Sequence, residues 1–341
     1  MTLVLSRYAC VRAEWGRLVV EGVKAAAPVP LDDPASLALI AAMASPRPLS
    51  EAAEEAGIAP ADAERLAQPL LEAGVLVDAD QGAAEHSTVW TFHNRLFHAR
   101  TRPADRSEWD ATRRPPPALP RRAWEPILPL ERPDLDAIER DDPPFARVQA
   151  ARRSQRVHGP RLLYAARLGE FLFRVGRVHD IWEVFGVTFV SRPYPSAGAL
   201  YELELYVAVG ACDGVDPGLY HYAGDHHHLA RISAPAGNVE RLLSDAAAGM
   251  GVSSEPQVLI VLAARFPRIA TKYGPLAYSL MLKNVGVVMQ TMYLSATAMG
   301  LAGCAVGVGD AALFAEATGL AVEDETSVGE FCIGEPREPA L

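Results

Sequence analysis

Ten of the chain's 27 prolines fall between Pro103 and Pro144, with Pro115-Pro116-Pro117 among them and Arg113, Arg114, Arg121 and Arg122 alongside. Proline fixes φ and has no N–H to donate, so so dense a stretch suits neither a helix interior nor a central strand. It is expected to be extended and irregular, a linker or a strap lying on another surface. That stretch divides a chain of 341 residues, which by length should hold two domains. The expected division is a small N-terminal module over 1–85, a Pro/Arg-rich linker or strap over 86–143, and a larger domain over 144–341.

Within the module, residues 31–80 read as three short helices followed by the strand Val75-Leu76-Val77. Helix–helix–helix–strand is the winged-helix order, and winged helices commonly read DNA. Charge argues otherwise here. The segment carries ten carboxylates against only Arg47 and Arg65, a net of −8 out of −10 for the whole chain. Phosphate would be repelled, and the basic residues needed for counterion release are missing. The expectation is a module that docks a protein or peptide, with no nucleic-acid partner.

The larger domain alternates strand and helix periods. Leu203–Val209 and the nearly unbroken apolar run Val258–Ala263 read as strands, the latter central. Leu219–Tyr222 and His226–Ile232 form a hairpin about Ala223-Gly224-Asp225, and Ser327–Ile333 is a last strand. Leu162–Val178 reads as helical, and Tyr278–Met299 as a long helix that is apolar nearly all round, hence buried in a core or a subunit interface. The order gives an α+β class and not a simple doubly wound sheet. The uncharged run Val285–Gly309 includes Gln290, Thr291, Ser295 and Thr297 and five glycines, so it reads as a buried helix and a turn, with no membrane span. Four scattered cysteines without a C-x-x-C pair, and an N-terminus without a signal-type apolar core, point to the cytoplasm.

Four constellations carry possible chemistry. Arg152-Arg153-Ser154-Gln155-Arg156 offers guanidinium forks and a hydroxyl suited to phosphate. Ser191–Tyr201 contains Pro195-Ser196-Ala197-Gly198, a stiff small-residue loop whose backbone can approach a flat ligand. Gly307-Val308-Gly309-Asp310-Ala311-Ala312 fits G-x-G-x-x-A, but it follows a long helix and a small-residue turn and not a strand opening a βαβ unit, so a Rossmann site is not expected. Lys272-Tyr273, after the Arg265-Phe266 bend, pairs two groups that can lower each other's proton affinity and leave one basic near neutral pH. The tract His226-His227-His228 gives only two imidazoles on one face, Cys304 reads as packing, and Tyr293 as an ordinary core position.

Taken together, these segments resemble the SagB-type dehydrogenases of the nitroreductase-like superfamily. The resemblance runs from Trp90-Thr-Phe-His93 and Asp142-Pro-Pro-Phe145 through the arginine run, Arg192-Pro-Tyr-Pro-Ser-Ala-Gly-Ala199, Gly218-Leu-Tyr-His-Tyr222 and Lys272-Tyr273. It ends with the Tyr293 helix, Gly300–Gly307 and Ser327–Phe331. It implies a nitroreductase-like FMN-binding domain with a mixed or antiparallel sheet, preceded by a winged-helix-like module, in a homodimer with flavin at the subunit interface. By resemblance, Arg152, Arg153, Ser154 and Arg156 would hold the phosphate and ribityl chain. Pro195, Ser196, Ala197 and Gly198 would approach the flavin ring from the other protomer, and Gly307 and Val308 would offer backbone contacts near N5. Many nitroreductases add a basic pair near the C-terminus, where this chain has Arg337 alone. The implied activity is oxidation of thiazolines and oxazolines in a ribosomally made peptide, beside a cyclodehydratase. Tyr273 is favoured as proton acceptor and Lys272 as its activator, with the reverse open. An NAD(P)H-dependent flavin reductase and a non-catalytic docking scaffold are the alternatives.

Overall fold

The structure, a computed structural model, describes residues 1–24, 27–102 and 113–337. Contacts divide the chain into Met1–Ser107 and Glu108–Leu341. The first unit opens with strands β1 (Thr2–Leu5), β2 (Cys10–Glu14), β3 (Arg17–Glu21) and β4 (Val29–Pro30), which the helix pattern did not reveal. The expected helices follow as α1 (Pro34–Ala42), α2 (Leu49–Glu55) and α3 (Pro60–Glu72), with β5 (Arg47–Pro48) between the first two and β6 (Leu76–Asp78) after them. Asp33 caps α1 by accepting from Ala35 N at 3.0 Å. Strand β1 completes the winged-helix sheet, pairing antiparallel with both β5 and β6. Leu39, Met43, Leu70 and Val75 fill the core beneath it.

This unit continues past residue 85. Helices α4 (Ala79–Ser87) and α5 (Phe92–Thr101) fold back onto it. Ser6 Oγ donates to Glu85 Oε2 at 2.7 Å, and Arg100 donates to Gly22 O at 3.3 Å. Residues 86–102, expected in the linker, therefore belong with the module.

The second unit contains, in order, β7 (Ile127–Pro129), α6 (Leu135–Asp141), α7 (Phe145–Ala151), β8 (Leu163–Tyr164), α8 (Ala165–Gly176), β9 (Ile181–Val184), β10 (Val187–Val190), β11 (Leu203–Val209), β12 (Cys212–Asp213), β13 (Gly218–Ala223) and β14 (His228–Ile232). It continues with α9 (Asn238–Met250), β15 (Val258–Ala264), α10 (Phe266–Tyr273), α11 (Ala277–Ala298), β16 (Ala302–Val306), α12 (Ala311–Thr318) and β17 (Thr326–Gly334). Its sheet runs β16-β17-β15-β11-β13-β14-β7, with every neighbouring pair antiparallel. All seven residues of β15 are buried, which explains a continuous apolar run where a half-exposed strand would alternate. Val258, Ile260 and Leu262 face α8 and α11, while Leu259, Val261 and Ala263 face α9 and α12. The result is a three-layer α+β sandwich.

Residues 302–306, expected as part of a small-residue turn, instead form β16. Small side chains are what this edge strand needs. A Cβ on Gly303 would press on Phe331 at 2.9 Å and on Ala296 at 3.2 Å, so close contact between β16 and its neighbours sets the composition. The Gly307–Ala312 motif therefore does lie at a strand-to-helix turn. Strand β17 nonetheless returns antiparallel to β16, which is incompatible with a βαβ nucleotide unit. Lys272-Tyr273 ends a helix, α10, that starts at the Arg265-Phe266 bend.

From Arg113 onward the proline-rich segment is a strap on the second unit, and Pro129 ends an edge strand, where its missing N–H costs no ladder bond. Two arginines of the α10 region hold it. Arg265 donates to Ala118 O at 3.1 Å. Arg268, with 0% exposure, donates to the carbonyls of Pro116 and Leu200 and to Thr188 O at 3.3 Å. Three backbone acceptors from three separate segments thus share one guanidinium. Removing it leaves them buried and unsatisfied, so Arg268→Ala should lower unfolding free energy by about 2–4 kcal/mol. Arg65→Ala, which removes only surface pairs with Asp33 and Asp62, should change it by less than about 0.5 kcal/mol. Urea unfolding of both variants checks the contrast, and equal losses would contradict it.

Candidate functional site

The loop after β10 reaches β11 through three residues with positive φ, Gly198 (59°), Ala199 (54°) and Tyr201 (47°). Such angles persist in non-glycine residues only where surroundings fix them. Here the fixing groups are two buried side chains, Glu202 and Asn284 of α11. Ala197 N donates to Asn284 Oδ1 at 3.3 Å, and Asn284 Nδ2 donates to Glu202 Oε1 at 2.8 Å. Ser196 Oγ donates to Glu202 Oε2 at 3.2 Å and accepts from Tyr201 N at 3.0 Å.

Gly198 brings this loop onto the Lys272-Tyr273 pair. A Cβ at 198 would lie 2.5 Å from Tyr273 Oη and 2.7 Å from Lys272 Nζ. Two segments more than seventy residues apart in sequence thus form one small site within a single chain. Lys272 Nζ stands 5.3 Å from the centroid of the Tyr273 ring, a cation–π distance. Burial and the nearby Glu202 carboxylate push the Tyr273 phenol above its ordinary value. The phenol therefore holds its proton in the resting protein. Tyr273, favoured as proton acceptor by the resemblance, thus meets a counter-effect from its burial first and from the Glu202 charge second.

The arginine run forms a second group. Arg152 ends α7, and Gln155 N donates to Gly303 O at 2.9 Å, laying the segment along β16. Tyr293 joins the parts. Its hydroxyl accepts from Ala305 N at 2.9 Å and lies 2.7 Å from Ser154 Oγ, while the Arg152 guanidinium stands 5.1 Å from its ring centroid. From sequence alone Tyr293 is an ordinary core position. Its role depends on partners far away in sequence, and an apolar helix gives no sign of them. Arg152 is half-buried, Arg153 and Arg156 are exposed, and none of the three is ion-paired among the described residues. Unpaired forks beside a hydroxyl suit a phosphate-bearing group such as that of FMN. The isolated bridge between His158 and Pro336 brings the Arg337 backbone back beside Gly159, just past this run. Gly307 and Val308 are exposed at the turn leaving β16. His226 and His228 stack with centroids 5.7 Å apart, and among the described residues no cluster of three metal-ligating side chains occurs.

The structure does not merge the two groups in one chain. Asn284 and Tyr293 are nine positions apart on α11, which places them about 13 Å apart along the axis and about 180° apart around it. They flank the buried stripe of Met281, Val288 and Met292 on opposite sides.

A profile of the Nitroreductase family matches residues 150–335, and the chain belongs to that family. A second profile, that of the cyanobactin oxidase ThcOx, matches residues 3–107. The two in tandem bear out the SagB-type, nitroreductase-like resemblance and place the chain among oxidoreductases. A Methanocaldococcus jannaschii protein assigned to the nitroreductases, MJ1384, is 33% identical over 182 residues, covering 53% of this chain and 84% of that protein. A nitroreductase-assigned structure from Ralstonia eutropha superposes with a TM-score of 0.51 at 23% identity, covering 67% of this chain and 96% of that one. Another, from Anabaena variabilis, gives 0.53 at 20% identity, covering 72% of this chain and 46% of that one. These likenesses bear out the nitroreductase-like α+β fold. Among the described residues, no helix is long and apolar enough to cross a membrane.

Gly198→Ala tests the join between loop and pair. A methyl at that φ, pressed on two side-chain ends, should cost on the order of 1 kcal/mol. It should also displace Lys272 Nζ and Tyr273 Oη in a crystal structure of the variant. Unchanged stability and unmoved side chains would show that the loop is not seated on the pair.

Proposed function

We propose that the protein is an FMN-dependent dehydrogenase that converts thiazolines and oxazolines in a ribosomally made peptide to thiazoles and oxazoles. The observation that carries this reading is the seating of Gly198 directly on Lys272 and Tyr273, which gives a flat ring a backbone platform beside two proton-handling groups. Arg152, Arg153, Ser154 and Arg156 hold the phosphate and ribityl chain, with Tyr293 fixing Ser154 and Arg337 near enough to assist. Pro195, Ser196, Ala197 and Gly198 would lie against the ring, and the backbone of Gly307 and Val308 would contact it. The separation of these groups on opposite flanks of α11 favours a homodimer in which the clamp of one copy meets the loop of the other.

FMN, when bound, supplies the acceptor for the hydride that leaves the azoline β-carbon, and oxygen reoxidises it. The chain's own residues handle the proton. Tyr273 Oη keeps its hydrogen and orients the ring by donating to it, and Lys272 Nζ takes the proton from the azoline α-carbon. This assignment reverses the roles favoured from sequence, because Tyr273 is buried beside Glu202. The acidic N-terminal unit, with −8 concentrated in 31–80, offers a docking surface for a peptide or a cyclodehydratase.

The test is the purified protein with an azoline-bearing peptide under air. The expected result is a yellow protein and loss of two hydrogen masses per ring. Lys272→Ala and Tyr273→Phe should keep the flavin yet slow the reaction by about 10²–10⁴-fold. Rapid bleaching by NADPH with no azole formed would favour a flavin reductase, and a colourless protein after reconstitution would favour a docking scaffold.

A further inference from the structure

On the sheet face opposite Tyr273, a cleft of about 590 Å³ opens between α9 and the turn from β16 to α12. Its walls are Leu242, Asp245, Ala246, Val308 and Asp310, and Glu330 of β17 lines it from the sheet. Glu330 is only 9% exposed, and among the described residues its side chain has neither a hydrogen bond nor an ion pair. Its carboxyl lies so tightly under Gly309 that a Cβ there would overlap it. Burial alone pushes it up to about 7.

An unpartnered carboxyl buried to this degree is costly, and a packing role would be met better by an apolar residue of the same size. The charged groups around it add to the imbalance. Asp245 comes from α9. Asp310 comes from the turn, where one oxygen already caps α12 by accepting from Leu313 N at 2.9 Å. The flanking strands present Val261 and Val306 in register with Glu330 and no charge. The cleft is therefore apolar in its walls and anionic at its end, with no cation among the described residues to balance it. A bare metal ion is a poor occupant, since no set of three ligating side chains converges among the described residues. The volume suits a small organic molecule.

We propose that this cleft is a binding site for a small organic cation, a primary ammonium on an apolar body, whose charge pairs with Glu330. The same chemistry occurs in a free amine and in a lysine side chain, and two probes separate them. Benzylamine and Nα-acetyl-lysine amide are titrated calorimetrically into the full-length protein at about pH 8, where Glu330 is ionised. Saturable one-site binding of either probe supports the site, and the tighter of the two identifies its source. Benzyl alcohol should bind at least about tenfold more weakly. Glu330→Gln removes the charge and should weaken the amine at least about tenfold, while Ala246→Phe fills the cleft and should abolish binding with Glu330 intact. Thermal melting confirms that each variant is folded, and the second variant serves if the first is not. No saturation by either probe at ~10 mM, or equal affinity in the wild type and both variants, would overturn the proposal.

Discussion

The guanidinium of Arg268 is the tie on which the second unit's architecture rests. A proline-rich strap has carbonyls but few N–H groups, so it cannot join a sheet along its length and must find donors elsewhere. Arg268 meets that need at Pro116 and also holds Leu200 and Thr188, so strap, loop and hairpin share one buried cation. Burial pulls this guanidinium down to about 10, and the carboxylates of Glu204 and Glu202 act against that shift. Glu204 is in turn within 3.8 Å of Arg192 and Arg265 and 3.2 Å of His221. The charge pattern is costly to build into a core and leaves little freedom in how the parts assemble.

The same network sets the site's chemistry. Glu202 cannot be removed from the loop's support, because Ser196 and Asn284 both bond to it. Its charge also reaches Tyr273 and raises the phenol. The group that stiffens the platform thus adds to what burial does in keeping the Tyr273 phenol protonated. Structural support and proton chemistry are coupled through one carboxylate.

Much of this was legible in the sequence where burial is simple. Strand β11 spans the residues its apolar run predicts, β15 is one residue longer at its end and α11 is shifted by one residue at both ends, since a strand or helix buried on several sides writes its identity in a continuous run. Strand β16 was hidden because Gly303 and its neighbours are small for packing reasons, and small residues in sequence also spell a turn. The N-terminal strand β2 is largely exposed, and β3 buries only the adjacent Val19 and Val20, so no apolar period marks them. The candidate residues were found as motifs, but their grouping was not. Tyr293 meets Ser154 across 139 positions, and Glu202 meets Asn284 across 82, and local composition carries no trace of either meeting.

In the proposed homodimer, the clamp of one copy and the Gly198–Lys272–Tyr273 group of the other make one active site. Complementation tests it most directly. A chain with Arg152→Ala and Ser154→Ala is refolded or co-expressed with a chain carrying Lys272→Ala and Tyr273→Phe, and azole formation is measured by mass spectrometry. In a mixed dimer one site carries all the lesions and the other carries none. Random pairing should therefore restore roughly a quarter of wild-type activity from two inactive parents. A mixture no more active than its parents, with mixed dimers shown to form, would contradict the account.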